Sequence, residues 1–253
     1  FVQDVKEYRD AGILGISTES RCAMATVFTN LHIRGQLMWN PDADVAAILD
    51  AFYEDFYGPA AQPMARFWNA IFEAWDETIV TEHEYFAAPA IYTPELMKKL
   101  GRAVKHADKA IGRLERTPAE ERSRNENLYV RRMEALRLQW AVLDGYISMV
   151  HAGAAECDYE TAATVGRKAI ADRLELAKMN PTFTTRIVGR AAMPQDPEKG
   201  NPAWFAGEVG QYMDLAASTN GDTGTLIKKL PLEWAFRRDP NDTGLASGWA
   251  YRD

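Results

Sequence analysis

The sequence predicts a mainly α fold: a helical bundle with a β/α unit ahead of it and an edge-type strand behind it. Three observations carry this. Between residues 45 and 179, apolar side chains recur at three- and four-residue spacing in successive segments, most of them opened by a capping residue or a proline. Ahead of these, a helical segment, a short aliphatic run, a polar loop and a second helical segment follow one another as in an α/β unit. Behind them, residues 226–238 alternate apolar and polar with period two. With 253 residues, 47% hydrophobic and 26% charged, the chain has ample material for a core.

In order, FVQDVKEYRDAG reads as the end of a helix already under way, as if the chain were cut from something longer, and Gly12 can close it in the left-handed conformation. Ile13, Leu14 and Ile16 form a strand-type run that ends in Ser17-Thr18-Glu19-Ser20. From about Ala23 to Trp39 a helix carries Met24, Val27, Phe28, Leu31 and Met38 on a broad apolar face. Asn40-Pro41-Asp42-Ala43-Asp44 then breaks the chain, and Asp42 or Asp44 can accept hydrogen bonds from the free amides of the next helix. That helix has Val45, Ile48, Leu49, Phe52 and Phe56 at helical spacing and stops at Gly58. Pro59 opens another, with Met64, Phe67, Trp68, Ile71, Phe72 and Trp75 inward.

The later helices are longer. Thr93-Pro94 starts one whose seam is Leu96, Leu100, Val104, Ala107, Ile111 and Leu114. Thr117-Pro118-Ala119-Glu120 fits a capping box for a helix reaching Val150 through Leu128, Met133, Leu136, Trp140, Leu143 and Ile147. Asp158 caps a third, which runs to Met179 and stops before Asn180-Pro181. A short helix led by Asn201-Pro202, with Trp204, Phe205, Val209 and Tyr212, follows between stretches rich in Pro, Gly, Asn and Asp. In the final strand, Leu230, Leu232, Trp234 and Phe236 alternate with Pro231, Glu233, Ala235 and Arg237, and Pro231 assigns it to an edge or a strand start. The expected division is 1–39, 40–217 and 218–253, the last being a linker and the start of a β domain.

Charge is unevenly spread. Residues 1–93 hold 5 Lys+Arg and 14 Asp+Glu, net −9, whereas residues 94–180 hold 16 and 13, net +3. An acidic segment repels phosphate backbones, so nucleic acid is not an expected partner. No apolar run approaches the roughly 18–20 residues of a membrane span, so no membrane insertion is expected. The histidines His32, His83, His106 and His151 are scattered, and no Cys-x-x-Cys occurs, so no metal is expected. Asp42-x-Asp44 fails as a calcium loop, because Ala47 and Tyr53 occupy the positions that require glycine and glutamate. A glycine-rich phosphate loop and a Gly-x-Ser-x-Gly elbow are also missing, and no cofactor is expected. Cys22 and Cys157 can pair or stay free. Asn241-Asp242-Thr243 is a glycosylation sequon, of consequence only in a eukaryotic secretory setting.

Glu19 is the strongest candidate for chemistry. It follows a buried-type strand, where α/β enzymes place binding and catalytic groups, and its carboxylate can accept two sugar hydroxyls. The same residue also fits an ordinary charged strand end, with Ser20 capping the next helix. Arg21 and Ser17 share its loop. The sequence pairs Asp42/Asp44, Glu54/Asp55, Asp76/Glu77 and Glu82/Glu84 suit solvated faces better than a glycosidase pair, whose carboxylates face each other at roughly 5–9.5 Å. Of the 27 aromatic residues, 12 lie between Trp39 and Tyr92, mostly at core spacing. The exceptions are Trp39, at a helix end beside a turn, and Tyr53 and Tyr57, off the Phe52/Phe56 stripe.

Three stretches taken together carry a resemblance: GILGISTES at 12–20, QLMWNPDADVAAILDAFYEDFYGPAAQPM at 36–64 and LPLEWAFRRDPNDTGLASGW at 230–249. They resemble a bacterial family of uncharacterised glycoside-hydrolase-like proteins, similar to α-glucuronidases and β-hexosaminidases. The resemblance implies that residues 1–39 are the last β/α part of a TIM-type (β/α)8 barrel and that the strand at 226–238 opens a β-sandwich. It further implies a carbohydrate partner, a secreted or periplasmic setting, and a place for Glu19 at the barrel mouth, where the family has an acidic residue; with Arg21 from the same loop and Trp39 from the exposed-type aromatics, Glu19 makes up the expected substrate contacts. Catalytic acids of the related glycosidases come from earlier strands, which would precede Phe1. The competing expectation is a non-catalytic helical module that spaces or joins domains.

Overall fold

The computed structural model describes residues 2–15, 24–79, 84–180 and 205–219. Two compact units are distinguished, Phe1–Ala216 and Ala217–Asp253, and nearly every described residue belongs to the first. The protein is mainly helical, and no strand occurs among the described residues. The helices are α1 (Val2–Asp10), α2 (Met24–Trp39), α3 (Val45–Tyr57), α4 (Ala61–Asp76), α5 (Glu84–Ile91), α6 (Pro94–Arg116), α7 (Arg124–Val150), α8 (Tyr159–Met179) and α9 (Ala206–Thr219). A 3-10 turn, Gly58–Ala60, joins α3 to α4, and a π turn, His151–Ala155, ends α7.

Gly12 closes α1 as expected, at φ +78°, with its N–H donating to the Arg9 carbonyl and that of Ile13 to the Tyr8 carbonyl. Ile13, Leu14 and Gly15 then run as irregular chain rather than as strand. Leu14 is fully exposed and Ile13 half so. The remainder of that run, with Glu19 and Arg21, lies outside the described residues, as do the alternating segment 226–238 and the start of the helix led by Asn201.

One core cluster joins α3, α4, α6 and the first half of α7. Phe52, Tyr53, Tyr57, Met64, Phe67, Trp68, Leu100, Ile111, Met133 and Leu136 fill it. The expected α6 seam is there: Leu100, Val104, Ala107 and Ile111 are buried, and Thr93 caps the helix by accepting from the Leu96 amide. A second cluster joins the end of α7 to α8 and α9 through Tyr146, Ile147, Met149, Ala169, Phe205 and Val209. Close approach of α7 and α8 needs Gly145, where a Cβ would lie 2.7 Å from that of Ala169. Leu143 packs against both clusters and makes them continuous.

Three details differ from expectation. In α2, Phe28 packs against the core as expected, but near the helix end Leu37 is buried and Met38 is half-exposed. Thr117 ends α6, with its hydroxyl donating to the Arg113 carbonyl, and α7 begins later. The box is Ser123 with Glu126: the Ser123 hydroxyl accepts from the Glu126 amide at 3.2 Å, and the Glu126 carboxylate accepts from the Ser123 amide at 2.7 Å. Finally, Tyr53 and Tyr57 are among the most buried side chains, at 2% and 1% exposed, although they lie off the Phe52/Phe56 stripe. Helix α3 packs against both α4 and α7, and a helix with neighbours on two sides buries more than one stripe.

Candidate functional site

The turn after α2 fixes the one expected contact residue that is described. Trp39 is the last residue of α2 and 91% exposed. Its neighbours hold it in place. The Asn40 amide donates to the Gln36 carbonyl, the Asn40 side-chain oxygen accepts from the Asp42 amide at 3.2 Å, and the Ala43 amide returns to the Asn40 carbonyl. Asp42 then ties the turn to α1, accepting from Arg9 Nη1 at 2.8 Å with Lys6 Nζ at 3.8 Å. Asp44 is the cap of α3, accepting from the amides of Ala46 and Ala47. The pair Asp42/Asp44 therefore performs two structural tasks, and an indole is presented to solvent on a turn braced from both sides.

Tyr53 and Tyr57 are removed from the candidates. The Tyr53 hydroxyl donates to Asn69 Oδ1 at 3.0 Å, and the Trp68 indole N–H donates to the Tyr57 hydroxyl at 2.9 Å. Burial raises the pKa of both phenols well above the ordinary value, so neither ionises in the physiological range. Beside them, Arg132 of α7 lies over the Phe56 ring, 4.1 Å from its centroid, and donates to the carbonyls of Asp55 and Phe56. It satisfies the open C-terminal end of α3, which defines a structural post.

Of the remaining carboxylate pairs, Glu54/Asp55 and Asp76/Glu77 face solvent, and Glu82/Glu84 lies outside the described side chains. Among the described residues no group of His, Cys, Asp and Glu is arranged to hold a metal ion, and no helix is long and apolar enough to cross a membrane. Cys157 carries a free thiol, and Cys22 lies outside the described residues.

One concave feature went unforeseen in the sequence. Helices α2, α4 and α7 enclose a cleft of about 560 Å3. Its walls are aromatic: Phe67, Trp68, Phe72 and Trp75 come from α4, and Trp140 from α7. Tyr92 closes one end, its hydroxyl accepting from the Trp75 indole N–H at 3.3 Å. Thr29 of α2 also lines the cleft, is 2% exposed, and its hydroxyl has no hydrogen-bond partner among the described residues. Thr29 gave no usable signal, because it lies among other polar residues of α2, Thr26, Asn30 and His32.

Comparison with known proteins gives one match. Residues 2–69 match a family profile described as "Domain of unknown function (DUF4838)", which makes this part of the chain similar to an uncharacterised family. No curated protein matches the chain, and no solved structure does.

Proposed function

We propose that this chain belongs to a carbohydrate-active protein of the glycoside-hydrolase type. In this reading Glu19, Arg21 and Trp39 contact sugar, and the helical bundle supports the segment that carries them. The observation behind it is Trp39: an almost fully exposed indole, held on a turn braced to α1, suits stacking on the C–H face of a sugar ring. Glu19 would accept sugar hydroxyls through charge-assisted bonds, and Arg21 would donate to ring or exocyclic oxygens. The resemblance of residues 12–20 and 36–64 to glycoside-hydrolase-like proteins, within the stretch that matches an uncharacterised family, supports the same reading.

The resemblance assigns the catalytic acids to strands ahead of residue 1, so these 253 residues are expected to bind sugar without cleaving it. The test uses the protein made from the complete reading frame, assayed on a panel of aryl glycosides. Hydrolysis that falls sharply in Glu19→Gln, with unchanged thermal stability, supports the proposal. Wild-type turnover in Glu19→Gln removes that residue from the site, and a panel without any hydrolysed member favours the helical spacer instead.

A further inference from the structure

We propose that the cleft between α2, α4 and α7 is a binding site for a small, flat, uncharged aromatic molecule with one hydrogen-bonding group, such as a phenol. At about 560 Å3 it falls within the roughly 300–1,000 Å3 of small-molecule pockets. The lining sets the chemistry. None of the described side chains around it is charged, so a charged ligand would lose its hydration without a counter-ion. The faces and edges of Phe67, Trp68, Phe72 and Trp140 favour a ring over a branched chain, because aromatic pairs gain from offset and edge contacts. A sugar is a poor fit: its four or five hydroxyls need as many partners, and besides the Tyr92 and Trp75 groups bonded to each other the described lining offers Thr29, Asn30 and Gln139 against mostly carbon.

The Thr29 hydroxyl selects the polar group. It is 2% exposed and without a hydrogen-bond partner among the described residues, a state that ordinarily costs stability. A helical threonine can satisfy its hydroxyl on the carbonyl one turn earlier, and here it does not. The oxygen is closed off from the cleft as it stands, and a change to the second χ1 well open to a helical threonine would present it to a phenolic O–H and restore that bond. Trp39 does not line the cleft, and the cleft's chemistry is argued without the sugar contacts, so neither proposal depends on the other.

The test compares p-cresol with toluene, which differ only in the hydroxyl, by isothermal titration and ligand-observed NMR on the whole chain. Variants are Thr29→Val, which keeps the shape and deletes the hydroxyl, and Leu143→Phe, which adds bulk to the cleft wall. The expected result is that both compounds bind, p-cresol the tighter. Thr29→Val should weaken p-cresol about tenfold, leave toluene within about twofold and keep or raise the melting temperature. Leu143→Phe should weaken both, with its helical circular dichroism unchanged. Should neither compound bind at millimolar concentration, or Thr29→Val leave p-cresol affinity unchanged, or both compounds weaken equally in Thr29→Val, the proposal is overturned.

Discussion

Gly58 is the residue on which the α3–α4 junction turns, and Gly58→Ala is predicted to be the most destabilising single-methyl addition in the first core cluster. Two separate costs act there. The backbone sits at φ +51° and ψ −118°, a positive-φ conformation outside the left-handed helical well that glycine adopts freely; forcing an L side chain into it costs about 1–2 kcal/mol. An added Cβ would also stand 2.5 Å from Cε2 and 2.6 Å from Cδ2 of Tyr129 on α7. Pushing that ring aside is an overpacking change, worth about 1–3 kcal/mol. The sum is about 2–5 kcal/mol, against a typical total stability of about 5–15 kcal/mol. For a domain of this size it lowers the melting temperature by roughly 4–20 °C. Urea titration followed by helical circular dichroism measures it. Repeating Gly58→Ala in a Tyr129→Ala background separates the two costs, since only the backbone part of about 1–2 kcal/mol should remain. A melting temperature within 1 °C of the parent would refute both terms, and equal losses in the two backgrounds would refute the contact with Tyr129.

Other substitutions test the remaining assignments. Tyr57→Phe strips the buried Trp68 N–H of its acceptor and should cost about 1–3 kcal/mol by urea midpoint; a loss under 0.3 kcal/mol would mean that the 2.9 Å bond contributes nothing. Ser123→Ala should cost about 1 kcal/mol, whereas Thr117→Ala should cost less, and the reverse order would restore Thr117 as the cap of α7. Hydrogen bonds from the Ser123 amide and hydroxyl hold the Glu126 carboxyl below its ordinary value of 4.5. Because the folded state favours the ionised form, this contribution is complete above pH 4.5 and is lost as pH falls through the lowered folded value. Ser123→Ala should flatten that acid limb, and an unchanged limb would contradict the assignment.

How far the sequence could be read depends on how many neighbours each helix has. For α6 one stripe and one cap suffice, because Leu100, Val104, Ala107 and Ile111 face a single core and Thr93-Pro94 admits only one start. Helix α3 is harder: periodicity points to Phe52 and Phe56, yet Tyr53 and Tyr57 are buried more deeply because their hydroxyls meet Asn69 and Trp68 across the interface. Those partners lie 16 and 11 residues away and leave no local mark. The start of α7 had two matching signals, Thr117 to Glu120 and Ser123 to Glu126. Contacts within the loop decide between them, as Asn127 donates to the carbonyls of Ala119 and Arg122 and holds residues 118–122 in a turn. At the proposed sugar site, the exposure of Trp39 followed from its place before Asn40-Pro41. Its bracing to α1 through Asp42 and Arg9 did not, because an ion pair between residues 33 positions apart has no signature in sequence. The cleft was equally invisible, since its walls come from three helices and the aromatic wall residues of α4 and α7 all read as core.

Trp39 also allows the most direct test of the central claim. At 91% exposed it contributes little to folding, so Trp39→Ala should change stability by no more than about 0.5 kcal/mol. The measurement is saccharide binding by the whole chain, screened on a glycan array and quantified by titration, for wild type, Trp39→Ala and Glu19→Gln. The account predicts that wild type binds at least one saccharide and that both variants lose that binding while their unfolding midpoints stay in place. Binding of every saccharide by Trp39→Ala at wild-type affinity, or no saccharide bound by the wild-type chain, would contradict it.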